Sequence, residues 1–442
     1  MSVLATTARR LDLRLAREQV SGRLPSVTAG LVRDGSLEWT GSVGVLADLS
    51  PGPDLQYRIG SITKTLTAVL VLQLRDEGAL DLDDPISRHL PGIAFGDSTL
   101  RDLLAHASGM HSEPAGEWWE RSPGVSFPAL ADALHETSAH PRGATFHYSN
   151  TAYALLGEVA ARLRGGSWWD QVVSRILVPL EMTRTSYLPE PPHATGWSVH
   201  HFAGTLTPEP AYDAVAMAPA GQVWSTVADL GRYAGFLLEG HERVLSRATL
   251  EEMAVPQAAS RVGALAAAHG LGLQLLRGGS GMVCGHTGSM PGFLAGLFVD
   301  PVRRTGAVVL ANATTGLRCG PLPIELLEDL EECEATLPRP WTPARDVPPA
   351  VQEILGLWHW GHTAYAFSWD GTELVVTGLG RGGRMHQFAL REDGSFVGTL
   401  GYHHGERLDV VRRGDGSISH LLCETFVYTR TPYDEDAPIP GR

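Results

Sequence analysis

The sequence predicts an α+β fold: an antiparallel sheet flanked by helices, with an inserted all-helical block, followed by a small antiparallel β-barrel. Three observations carry this. Strand-like runs lie near both ends of the first three quarters of the chain, with a mostly helical stretch, about 80–255, between them. A proline-rich segment, 338–352, then interrupts regular structure. Beyond it, short strand-like runs alternate with turns such as Asp370-Gly371 and Gly414-Asp415-Gly416.

The elements follow in order. Residues 2–21 read as an amphipathic helix, with Leu4, Leu11, Leu13 and Leu15 set among charges. Val27–Val32 and Leu37–Val45 flank Asp34-Gly35, a hairpin signature. Ser61 to Glu77 carries Leu66, Val69, Leu70, Leu72 and Leu74 at helical spacing, and Gly78 stops it. Ser225-Thr226-Val227-Ala228-Asp229 opens another helix with a capping residue and an early acid. Strands are expected near Leu271–Leu276, Gly292–Val299 and Gly306–Asn312, then a helix from Pro323 to Glu334. The N- and C-terminal strands would share one sheet, giving a domain over 1–337, a linker over 338–352 and a β domain over 353–442. Within the last, Tyr365–Trp369, Leu374–Thr377, Arg384–Leu390, Phe396–Leu400, Leu408–Arg412 and Phe426–Thr429 read as strands.

Composition narrows the function. A net charge of -14 argues against nucleic acid or an anionic membrane as partner. Cys284, Cys319, Cys333 and Cys423 form no C-x-x-C pair, so no zinc or redox site is expected. Charges recur through Arg9, Arg10, Asp12 and Arg14, leaving no signal-peptide core, and no run reaches the length of a membrane span. A cytoplasmic protein is expected.

Of 35 basic residues only Lys64 is a lysine. Arginine replaces lysine on a solvated surface, but not where an amine must lose and regain a proton. Lys64 stands three residues after Ser61, so on a helix the two side chains share a face. A hydroxyl at a helix start meets oriented N–H groups, which suits a nucleophile whose proton an adjacent amine relays. Alone, such spacing more often marks a capping serine and a surface lysine. Two further segments change that balance. Tyr148 and Asn150, in His147-Tyr148-Ser149-Asn150-Thr151, can face one cavity and supply a phenol and an amide. Cys284-Gly285-His286-Thr287-Gly288-Ser289 leads into a strand-like run whose edge N–H can complete an oxyanion hole.

With these three motifs in order, residues 20–335 resemble the serine β-lactamase and penicillin-binding-protein superfamily, in its class C-like form. Leu104-Ala105-His106-Ala107-Ser108-Gly109-Met110 is similar to the stretch after that family's first helix. The resemblance implies Ser61 as nucleophile, Lys64 and Tyr148 as acid–base groups, and Asn150 as ligand of substrate and of Lys64. It implies the N–H groups of Ser61 and Ser289 as oxyanion hole, with Thr287 and Gly288 on the substrate-binding strand. His286 replaces the family's usual lysine, so a fixed charge for a substrate carboxylate is missing. Trp118 and Trp119 are the better candidates for a pocket wall, whereas Trp168-Trp169 and Trp358-His359-Trp360 read at least equally as core. His200-His201 and His403-His404 lack metal-ligand spacing and read as surface; no metal and no cofactor are expected.

The motifs, the missing export signal and a lipocalin-like C-terminal domain together resemble the stand-alone penicillin-binding-protein-type thioesterases of nonribosomal peptide pathways. That implies a peptidyl thioester, presented by a peptidyl carrier protein, taken onto Ser61 and released as a macrocycle, with a D-residue at the acyl position. The alternative is an esterase or D-amino-acid amidase; a β-lactamase or an acylated sensor comes after both.

Overall fold

The computed structural model describes residues 2–44, 51–135, 137–259, 267–279, 281–335, 337, 340–380, 383 and 385–439. The chain divides into two compact units, Met1–Thr336 and Leu337–Arg442.

The first unit holds an eight-stranded antiparallel sheet. Its spatial order is Ser36–Gly44, Ser26–Arg33, Thr305–Ala311, Phe293–Asp300, Met282–Met290, Gln274–Arg277, Ala267–His269 and Ala258–Ala259. Strands from the two ends of the unit thus meet side by side, as Val27↔Ala311 through Arg33↔Thr305. The first hairpin turns on Asp34 and Gly35, both at positive φ (48° and 77°), as an Asp-Gly turn requires. Val45 lies outside the described residues.

The central strands are buried on both faces, which is why they read as continuous apolar runs. Alternate residues serve different cores. Ala307, Val309 and Ala311 pack with helices Ala5–Gly22 and Pro321–Cys333, while Val308 and Leu310 join the core shared with helix Val227–Glu239 and the helical block. Buried Asp329 clasps the two terminal helices, accepting from Arg10 at 2.7 Å and also from Arg14. The helix expected from Ser61 begins as a 3-10 turn, Gly60–Ile62, and becomes α over Thr63–Asp76. Every residue from Thr63 to Leu74 is buried, so this helix is surrounded by others. The cap of helix Val227–Glu239 is Thr226, whose hydroxyl accepts the Asp229 N–H at 3.1 Å. The strand expected at Leu271 starts later, at Gln274, because Gly272 turns the chain at φ +82° against Ala68. No described helix is long and apolar enough to cross a membrane.

The second unit is an eight-stranded antiparallel meander in sequence order. It curls until its first strand, Gly356–Trp360, meets the chain after its last, Phe426–Tyr428, through the bridge His359↔Thr429. Trp358, Phe367, Val376, Phe388, Phe396, Leu408 and Leu421 fill the interior. Gly356–Trp360 and Ile418–Cys423 are strands that the sequence reading did not assign, since neither alternates cleanly. Within the expected linker, Pro349–Gln352 forms a helical turn, with proline in the first turn, where an N–H has no intrahelical partner. Arg384 lies outside the described residues.

Candidate active site

Two glycines bring the first and third motifs together. A Cβ on Gly60 would lie 2.5 Å from the Ser289 nitrogen, and one on Gly288 would lie 1.9 Å from the Ile59 carbonyl oxygen. Turn Gly60–Ile62 and strand Met282–Met290 therefore pack backbone against backbone. Gly60 also takes φ +53°, open to glycine at little cost. The strand pairs with Gln274–Arg277 only as far as Gly285, which leaves His286–Met290 facing the turn on that side. The Ser289 nitrogen thereby lies against Gly60, the residue before Ser61.

Lys64 is fully buried. Its Nζ donates to Ser61 Oγ at 3.0 Å and to the Ala220 carbonyl at 2.6 Å. Burial drives its pKa down to about 7, against a smaller upward pull from the carboxylates of Glu113 and Glu120. A fraction of the amine is therefore neutral at physiological pH and able to accept a proton. Tyr148 reaches the same point from the second motif. Ser149 caps helix Asn150–Arg164 through the Ala152 N–H at 3.1 Å, which fixes the residues on either side. The Tyr148 hydroxyl lies beside Ser61, which eases its ionisation, and Lys64 Nζ stands 5.0 Å from the ring centroid. Burial raises the phenol pKa, so at neutral pH it keeps its proton. The His106 ring stacks on Tyr148 at 4.2 Å.

His286 is buried, with Nδ1 against the Thr287 carbonyl. Burial and the nearby His269 and Lys64 hold its pKa well below the usual value, so it is neutral. Thr287 is tied to Gln274 Oε1 through both N–H and hydroxyl, at 3.1 Å each. The Ser289 side chain is exposed.

Asn150 does not reach Lys64 as the resemblance implied. Its Nδ2 instead donates to Glu113 Oε1 at 2.6 Å. Trp119 Nε1 donates to the other oxygen of Glu113 at 2.7 Å. Trp118 points outward, 61% exposed, with Nε1 on Glu120 at 3.0 Å; Trp119 is buried. Trp168 is core, bonded to Thr67 at 3.1 Å, and so is Trp358. His403, expected at the surface, is buried inside the second unit. Sequence reasoning passed over Glu113, Ala220 and His269, and gave His106, quoted within Leu104–Met110, no role at the site. Only Glu113 carried a signal: an acid just before Trp118-Trp119 on the loop already assigned to the cleft.

A family model described as Beta-lactamase matches residues 11–329. The chain belongs to the beta-lactamase family. A second model, a domain of unknown function (DUF7586), matches residues 347–430. Among curated relatives with beta-lactamase-like sequence, penicillin-binding protein 4 of Amycolatopsis lactamdurans is 31% identical over 234 residues, 49% of this chain and 60% of that protein. Protein flp of Staphylococcus aureus is 24% identical over 324 residues, 69% of this chain and 62% of that protein. The chain thus spans about three fifths of the length of these relatives. Among solved structures, a D-stereospecific amidohydrolase from Streptomyces sp. is 28% identical with a TM-score of 0.60, covering 75% of this chain and 98% of that one. SurE is 25% identical with a TM-score of 0.60, covering 96% of this chain and 99% of that one. The octameric penicillin-binding protein homologue from Pyrococcus abyssi shares the fold, with a TM-score of 0.66 at 24% identity over 95% and 99% of the two chains.

Proposed function

We propose that this beta-lactamase-family chain is a D-stereospecific acyl-enzyme that takes an amine-bearing acyl group onto Ser61 and releases it to water, as an amidase or peptidase. The observation that carries this is the charge of the cleft. The third-motif position holds a buried, neutral His286, so a substrate carboxylate finds no fixed cation there. Glu113 instead presents a carboxylate anchored by Asn150 and Trp119 beside the reacting groups. A substrate ammonium group is its natural partner. The likeness to the D-stereospecific amidohydrolase from Streptomyces sp. supports the D-configured acyl group.

In this reading neutral Lys64 takes the Ser61 proton as Oγ attacks the scissile carbonyl. The N–H groups of Ser61 and Ser289 receive the developing oxyanion. Tyr148, still a phenol, passes a proton to the leaving amine and is reprotonated from Lys64. Water then repeats the sequence on the ester. Incubation with D- and L-amino-acid amides, and with the D-amide blocked by N-acetylation, tests it. Turnover of the free D-amide alone is expected; equal turnover of the acetylated form removes Glu113 from the argument.

A second reading, release of a peptidyl thioester as a macrocycle, is favoured by the C-terminal barrel. It brings with it a carrier-protein partner and a cytoplasmic setting. A peptidyl pantetheine thioester ending in a D-residue separates the readings: cyclic product supports the second, linear acid the first.

A further inference from the structure

The second unit buries a set of side chains that barrel packing alone does not call for. His403 and Glu406 lie on the turn between strands Phe396–Leu400 and Arg407–Arg412, and Cys423 ends strand Ile418–Cys423. His403 Nδ1 is 2.6 Å from Glu406 Oε2, and Cys423 Sγ is 3.8 Å from the same oxygen. One nitrogen, one oxygen and one sulfur donor lie within 4.8 Å of one another. His403 and Cys423 are buried, while Glu406 is about one third exposed and opens a path to solvent.

We propose that His403, Glu406 and Cys423 form a binding site for one divalent transition-metal ion of the zinc type, which pins the barrel wall. Mixed nitrogen, oxygen and thiolate donors suit Zn2+ or Co2+ and not Mg2+ or Ca2+. Ligands around a tetrahedral ion stand about 3.3–3.6 Å apart, so the three groups need to move by less than about 1 Å. The protons balance. Cys423 loses its thiol proton to solvent on binding. His403 moves its ring proton from Nδ1 to Nε2, where the Tyr428 hydroxyl, 3.3 Å away, accepts it. That contact is the outer partner that metal-bound histidines usually keep.

The position gives the ion a task. Strands Phe396–Leu400 and Arg407–Arg412 pair at Phe396↔Leu408 and Val397↔Arg407, and Gly398 bonds on to Glu406 and Gly405 in the turn. A metal ion would tie the turn between them to the next strand.

A second histidine cluster, His106, His269 and His286, is also close-set, but its chemistry differs. His106 Nδ1 accepts the Ser149 N–H at 3.0 Å, so its Nε2 carries the proton and has no lone pair for a metal. That cluster also has no thiol, which makes the two separable by spectroscopy.

The test is titration of the chelator-treated, desalted full-length protein with Co2+. One equivalent is expected to produce a thiolate-to-cobalt charge-transfer band, abolished by Zn2+ displacement and missing in Cys423→Ser. Glu406→Gln should weaken binding by about tenfold or more, with far-ultraviolet circular dichroism unchanged. Bound Zn2+ should raise the melting temperature of the second unit's transition. No band at stoichiometric Co2+, a band that survives in Cys423→Ser, or unchanged affinity in Glu406→Gln would overturn the proposal. Because Glu406 is partly exposed, its variant carries the test if Cys423→Ser does not fold.

Discussion

Lys64 Nζ donates to Ser61 Oγ at 3.0 Å and, at 2.6 Å, to a carbonyl 156 residues further along, that of Ala220. The second bond matters as much as the first, because it holds a fully buried amine in place. Lys64→Arg keeps a positive charge but cannot give up its proton. The expected result is a fall in kcat of about two to four orders of magnitude with folding retained. Ser61→Ala should take up no acyl group at all, read by intact mass after exposure to an activated ester. Near-normal turnover in Lys64→Arg would falsify the proton-transfer role.

The same burial sets a pH dependence. Lys64 titrates near 7 in the folded chain and near its ordinary value, 10.5, when unfolded. Its neutral form is the base, so kcat/KM should rise with pH and level off above about 7. For stability, the unfolded chain holds the extra proton between these two values, so stability rises with pH across that window and is lost as pH falls toward 7. In Lys64→Met this part of the slope should vanish from denaturant midpoints measured between pH 7 and 10.

Glu113 offers a test of substrate class. Glu113→Gln removes the charge and leaves one acceptor oxygen, enough for Trp119 or Asn150 but not for both. KM for a free D-amino-acid amide should rise by about tenfold or more, with kcat for a neutral ester little changed. An equal loss on both substrates would instead mean that Glu113 only positions Asn150.

Asp329 joins the two ends of the first unit. It is buried and receives both Arg10 and Arg14 from the N-terminal helix. Asp329→Ala should lower stability by about 1–3 kcal/mol, seen as a shift in urea midpoint without loss of the native activity.

Much of the fold was legible in the sequence because it depends on local pattern. The hairpin at Asp34-Gly35, the helix after Ser61 and the apolar central strands are each fixed by turn chemistry or by which faces must be buried. Gly356–Trp360 and Ile418–Cys423 were not, because their side chains do not alternate and only the neighbouring strands make them part of a barrel.

The candidate site divides the same way. A single lysine in a chain of arginines, with a serine three residues before it, marked Ser61 and Lys64 from the sequence alone, since their proximity is a property of one turn. The pairing of Tyr148 with Ser61 and the meeting of Gly60 with Ser289 bring residues from far along the chain together, and only the folded backbone decides them. Two findings lay wholly beyond the sequence. Asn150 turns to Glu113 because the loop after Gly109 folds over the start of its helix. The buried state of Lys64, which makes its amine a base near neutral pH, comes from the helices packed around it. The sequence determined which groups could do the chemistry; desolvation and long-range contact, which no local pattern encodes, decided their charge and their partners.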